Sequence, residues 1–154
     1  MTLLRLLIPV LLCVAGWAHA GQPGETLPVL QLADQHGQRL VVDAGVRRIF
    51  FTHDMAGGKL LKAALGEQGQ RSLDAIAGVA IADVSGMPAM IRQMMAMPAL
   101  KKRSYRIGID ETGKQVVDLP RQPGQVTVID LDGLKILTVR YAADEKTLAS
   151  LVAP

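Results

Sequence analysis

The chain has 154 residues, 49% of them apolar, and setting aside the first twenty leaves the length of one domain. A compact chain of that size buries roughly two thirds of its unfolded surface, enough for a core without staples, and the composition excludes disorder and collagen-like repeats. With 17 basic against 14 acidic residues the net charge is only +3, too small an electrostatic footprint for nucleic acid.

The first predicted element is an address. Met1 to Ala20 has one cation at Arg5, an apolar run from Leu6 to Ala18, and small residues at Ala18 and Ala20 before Gly21. This reads as a signal peptide cleaved near Ala20, which makes the protein periplasmic or secreted and leaves residues 21–154 as a single domain. The apolar run, broken by Pro9, falls short of the about 20 residues that a membrane span requires. Lipid attachment at Cys13 would need a small preceding side chain, and Leu12 stands there. Cys13 and Trp17 are the only cysteine and tryptophan, so the processed chain has neither. Without a thiol it can form no disulfide, thiolate nucleophile or Cys-ligated zinc site.

In the processed chain, Leu27 to Leu32 and Arg39 to Asp43 flank Asp34-Gln-His-Gly37 and predict a hairpin. Arg48-Ile-Phe-Phe-Thr52, apolar without alternation, predicts a central strand covered on both faces. After Gly57-Gly58, the apolar positions 60, 61, 64 and 65 predict a helix over Lys59 to Leu65, and Val79 to Asp83 predicts a second central strand, parallel to the first. Met87 to Met97 is the next expected helix, kinked or stopped by Pro98. A strand over Tyr105 to Asp110, a hairpin of Val126 to Asp130 and Leu134 to Tyr141 around Asp132-Gly133, and a helix capped by Asp144 complete the order.

That order, with Leu27-Pro-Val-Leu, Asp34-Gln-His-Gly37, Arg48-Ile-Phe-Phe-Thr52 and Val126-Thr-Val-Ile-Asp130, resembles the thioredoxin-like superfamily in its peroxiredoxin and TlpA-type form. The stretch from Arg48 to Lys59 and the ending are also similar to YtfJ-like periplasmic proteins. The resemblance implies an α/β three-layer fold with a mixed central sheet and an N-terminal β-hairpin extension. It also implies two cysteines just after the central strand and a cis-proline opposite them. Met55-Ala56-Gly57-Gly58 occupies the first position and Gly124-Gln125 the second. Neither a thioether nor a glycine can attack or resolve a disulfide, so thiol–disulfide exchange is not expected.

The carboxyl end of the central strand is where open α/β sheets hold ligands, which makes His53, Asp54, Met55, Gly57, Gly58, Ser85, Met87 and Gln125 the candidate binding residues. The plainer reading has Asp54 capping the helix and His53 solvated. Met87, Met90, Met94 and Met97 share one helical stripe, read first as core or interface packing, with Met95 off it and exposed. The alternative is a soft-metal site, with copper held by His53, Met55, Met87, Met90 and Met94; otherwise no cofactor is expected. Gly57-Gly58-Lys59 departs from the P-loop spacing. Lys101-Lys102-Arg103 with Arg106 reads as a solvated helix end, with anionic lipid or an acidic partner as the alternative.

The sequence therefore leads to an exported binding or accessory protein without thiol redox activity, serving a periplasmic protein or small-molecule ligand. A third reading is a small hydrolase-type enzyme with His53 as base, oriented by Asp54 or Asp83. No catalytic residue is assigned.

Overall fold

The computed structural model describes residues 21–153; the expected signal peptide, with Cys13 and Trp17, lies outside the described residues. Seven strands form one mixed sheet in the order β2-β1-β5-β4-β3-β6-β7. β1 (Leu30–Asp34) and β2 (Arg39–Val42) are the N-terminal hairpin, joined to the sheet by antiparallel pairing of β1 with β5 (Ile107–Asp110). β3 (Arg48–Thr52), β4 (Gly78–Asp83) and β5 are parallel neighbours. β6 (Val126–Asp132) and β7 (Lys135–Ala142) close the other side as an antiparallel hairpin. β3 is the central strand that its unbroken apolar run predicts: Ile49 and Phe51 enter one core and Phe50 the other, all three fully buried.

The two sheet faces are covered differently. One core takes Leu61 and Leu65 from α1 (Met55–Leu65), Leu73 from α2 (Gly69–Ala75), and Leu148 and Val152 from α5 (Glu145–Val152). On the opposite face the third layer is irregular chain: Leu27, Val46, Val116 and Leu119 lie over Ile49, Phe51, Ile81 and Ile129. The N-terminal segment is pinned there along β7, the Gly24 amide donating to the Ile136 carbonyl and the Leu27 amide to the Leu134 carbonyl.

Three local expectations are corrected. α1 begins at Met55, not after the two glycines, because the extended Asp54 caps it by accepting from the Gly57 amide. The last hairpin turns on Gly133-Leu134, both with positive φ, rather than on Asp132-Gly133, since Asp132 still pairs with Lys135. Leu134 holds that left-handed backbone while its side chain is buried in the loop-covered core.

The third correction concerns the methionine segment, which is helical from residue 89 to 101 and runs past Pro98. α3 (Ala89–Ile91) passes through a π-helical turn (Arg92–Ala96) into α4 (Met97–Lys101). In the widened turn the Met97 amide donates to the Arg92 carbonyl five residues back. A proline has no N–H to give and its ring crowds the carbonyl four residues before it, so a wider turn next to Pro98 lets the helix continue. The stripe read as core or interface packing is split: Met87 and Met97 lie against the helix-side core, whereas Met90 and Met94 are 70% and 71% exposed. Met95 is exposed as expected, at 62%.

Candidate functional site

β3, β4 and β5 deliver Asp54, Asp83 and Asp110 to their shared carboxyl edge, where the chain before β6 folds over them. Each carboxylate is occupied. Asp54 holds two elements together: Oδ1 accepts from the Gly57 amide in the first turn of α1 at 2.8 Å, and Oδ2 from the Gly124 amide at 2.6 Å. Asp83 accepts from the Ser85 hydroxyl at 2.6 Å and from the Arg121 guanidinium at 2.8 Å. Arg121 in turn lies 5.2 Å over the Phe51 ring, a cation–π contact that seats the loop on the central strand. Asp110 is fully buried and gathers the loop behind it, accepting from the Thr112 hydroxyl and from the amides of Thr112, Gly113, Gln115 and Val116.

Burial acts against ionisation of Asp34, Asp54, Asp110 and Asp130 and alone would raise their pKa values. Hydrogen bonds outweigh it at all four. Arg106 with the Gln38 and His36 amides does so at Asp34, and the Gly124, Gly57 and Ala56 amides with nearby His53 at Asp54. Thr112 with the Gln115 and Val116 amides does so at Asp110, and Thr138 and Arg48 with Arg140 at Asp130. Each carboxyl therefore sits below the ordinary carboxylate value of 3.8. Below that value the unfolded chain takes up protons that the folded one resists. The stabilisation is thus complete above about pH 5 and is lost as pH falls through the depressed native values. Urea midpoints measured from neutral pH downward are expected to fall steeply only below about pH 4.

The predicted residues fall into two groups. His53, Asp54, Met55, Gly57, Gly58 and Gln125 meet at the start of α1. Ser85 joins them through the contacts Ser85–Asp83–Arg121–Phe51–His53. Met87 instead packs into the helix-side core, and Met90 and Met94 point outward from the surface helix. Asp54 caps the helix, but His53 is not solvated: its side chain is 17% exposed and stacks on Phe51 with ring centroids 6.3 Å apart. Its Nε2 lies 3.7 Å from Asp54 Oδ2, outside hydrogen-bond range, and its buried Nδ1 has no partner. Neither aspartate thus orients it as the hydrolase reading requires, since Asp83 is taken by Ser85 and Arg121. Among the described residues no group of three His, Cys, Asp or Glu side chains is placed to hold a metal ion.

The two glycines of α1 differ sharply. A Cβ on Gly57 would stand 2.8 Å from the Gln125 carbonyl oxygen, while one on Gly58 would meet nothing within 4 Å. Gly57→Ala is expected to destabilise by about 1–3 kcal/mol through that clash. Gly58→Ala is expected to stabilise by about 0.5–1 kcal/mol through helix propensity, and paired thermal melts read the opposite signs.

Sequence reasoning missed Arg121, the hub of this edge. The Arg121-Gln-Pro-Gly124 segment reads in the sequence only as a break between elements, and nothing there ties Arg121 to Asp83 or Phe51. Two shallow clefts lie elsewhere. One, of about 200 Å³, is lined by Arg39, Val46, Gln70, Gly78 and Arg106 at the amino ends of β3 and β4. The other, about 330 Å³, lies by Glu67, Arg71 and Ser104.

No protein-family model matches the chain, and no curated protein matches it. Solved structures do. The chain is similar to the peroxidoxin BcpB of Mycobacterium tuberculosis at 16% identity, over 86% of this chain and 94% of that one, with a TM-score of 0.57. It is similar to the exposed lipoprotein thioredoxin Etrx1 of Streptococcus pneumoniae at 10% identity, over 81% and 98%, with a TM-score of 0.58. A thioredoxin-like protein of Porphyromonas gingivalis matches at 19% identity, over 85% and 90%, with a TM-score of 0.52. The fold is thioredoxin-like. Among the described residues no helix is long and apolar enough to cross a membrane.

Proposed function

We propose that this thioredoxin-like chain is an exported binding or accessory protein that works without thiol chemistry, contacting its partner over the β3–α1 edge. One observation carries the reading. Where the helix after the central strand begins, the positions that a redox pair would hold are Met55 and Gly58, and the only cysteine of the chain is Cys13. A thioether cannot be deprotonated and glycine offers no side chain, so nothing at this helix start can open a disulfide. The carboxylates beside it are satisfied by backbone amides, a hydroxyl and an arginine, which gives the edge a rigid shape. Met55, 62% exposed on that rim, is the adaptable apolar contact a partner would meet.

A photocrosslinking side chain at position 55 is expected to capture a defined partner in the cell envelope, while the same group at Leu137, exposed on the edge strand β7, captures none. Identical adducts from both positions, or none from position 55, would remove the binding role of this edge.

A further inference from the structure

The surface helix over residues 89–101 is unusual in its burial. None of its residues is fully buried, and Arg92, Ala96, Met97 and Leu100 are only half-buried on its inner side. Its outer side runs Met90 and Ile91, Met94 and Met95, Pro98, then Lys101 and Lys102, all exposed. Four large apolar side chains, Met90, Ile91, Met94 and Met95, thus stand in water on one short helix. Contiguous apolar surface of this kind marks an interaction face.

Charge indicates what covers it. From Val84 to Ile109 the chain has five cations and no acidic residue. Arg92 pairs with Glu111 and Arg106 with Asp34. Among the described residues Lys101 and Lys102 form no salt bridge, and they continue the outer stripe. The helix is about 20 Å long, convex, apolar along one half and cationic at its end. Neither of the two clefts described above is lined by residues of this helix. Hydrocarbon demands no complementary shape, thioether side chains adapt to it readily, and lysines extend their stems to reach phosphate head groups.

We infer that this helix docks the domain on an anionic phospholipid surface, with Met90, Ile91, Met94 and Met95 entering the interface and Lys101 and Lys102 meeting the head groups. Docking is separate from the binding edge and holds whether or not that edge takes a partner.

The test is co-sedimentation of the purified protein with vesicles of phosphatidylglycerol and phosphatidylcholine, compared with phosphatidylcholine alone. Partitioning is expected to be at least about tenfold stronger on the anionic vesicles and to weaken with salt. Lys101→Glu with Lys102→Glu, and separately the triple change of Met90, Met94 and Met95 to Ser, should each weaken it at least about tenfold. Leu137→Ser should leave it unchanged, and all variants share the same N-terminal residues. Because the altered side chains are exposed, circular dichroism should show the fold intact. Changing the three methionines to Leu should preserve binding, since the apolar surface remains. Equal binding to neutral vesicles, indifference to both sets of changes, or binding to an acidic polypeptide but to no vesicle would overturn the inference. So would loss of binding in the Leu variant, accompanied by loss of Cu(I) uptake from a chromophoric chelator, which would make the face a thioether metal site.

Discussion

The double variant Met55→Cys, Gly58→Cys should acquire what the parent lacks: a reversible disulfide and reductase activity toward insulin at least about tenfold above the parent's background. The two positions are the first and fourth of α1, on one side of the helix and within reach of a bridge. Position 58 is open, with nothing within 4 Å of a Cβ, and position 55 is already exposed. A thiol at the first helical position faces the positive end of the helix dipole, which lowers its pKa from about 8.5 towards 7. If the variant forms its disulfide but does not turn over, the scaffold has lost more than its thiols and the edge cannot admit an extended substrate. Failure to bridge at all would contradict the described helix start.

Asp110→Ala should be the most damaging single change outside the apolar cores, costing about 3–5 kcal/mol and bringing the domain near the limit of its stability. The carboxylate is fully buried and accepts five hydrogen bonds, four from backbone amides that have no other described acceptor. Its loss frees the segment that carries Val116 and Leu119 onto the sheet and Arg121 onto Phe51. Urea unfolding measures the loss. Asp110→Asn, which keeps one acceptor oxygen, should retain about half of the stability at stake. A midpoint for Asp110→Ala within error of the parent would show that the loop is held by its apolar contacts alone.

The strands were legible because their signals are local. Ile49, Phe50 and Phe51 announce a two-faced strand, and the hairpin around Asp34 to Gly37 forms with its first strand over Leu30–Asp34, ending two residues beyond the expected Leu32, where Asp34 binds the turn amides. Asp54 and Asp144 were readable as caps for the same reason, since a cap reaches only three residues along the chain. Arg121 was not legible, because its partners Asp83 and Phe51 are distant in sequence and no periodicity connects them. The methionine stripe was legible only in part. Period alone cannot say whether an apolar stripe faces a core: Met87 and Met97 pack against the helix-side core, while Met90 and Met94 stand exposed. The absent thiol pair was readable from composition, since one cysteine cannot make two.

The function proposed for this thioredoxin-like domain requires that it exchange no electrons through sulfur. The direct measurement is a thiol count on the exported form of the protein, followed by its insulin-reduction rate with dithiothreitol as donor. No titratable thiol and a rate equal to the reagent blank are expected. Reductase turnover above that blank, or Cys13 still present in the working form, would contradict that function.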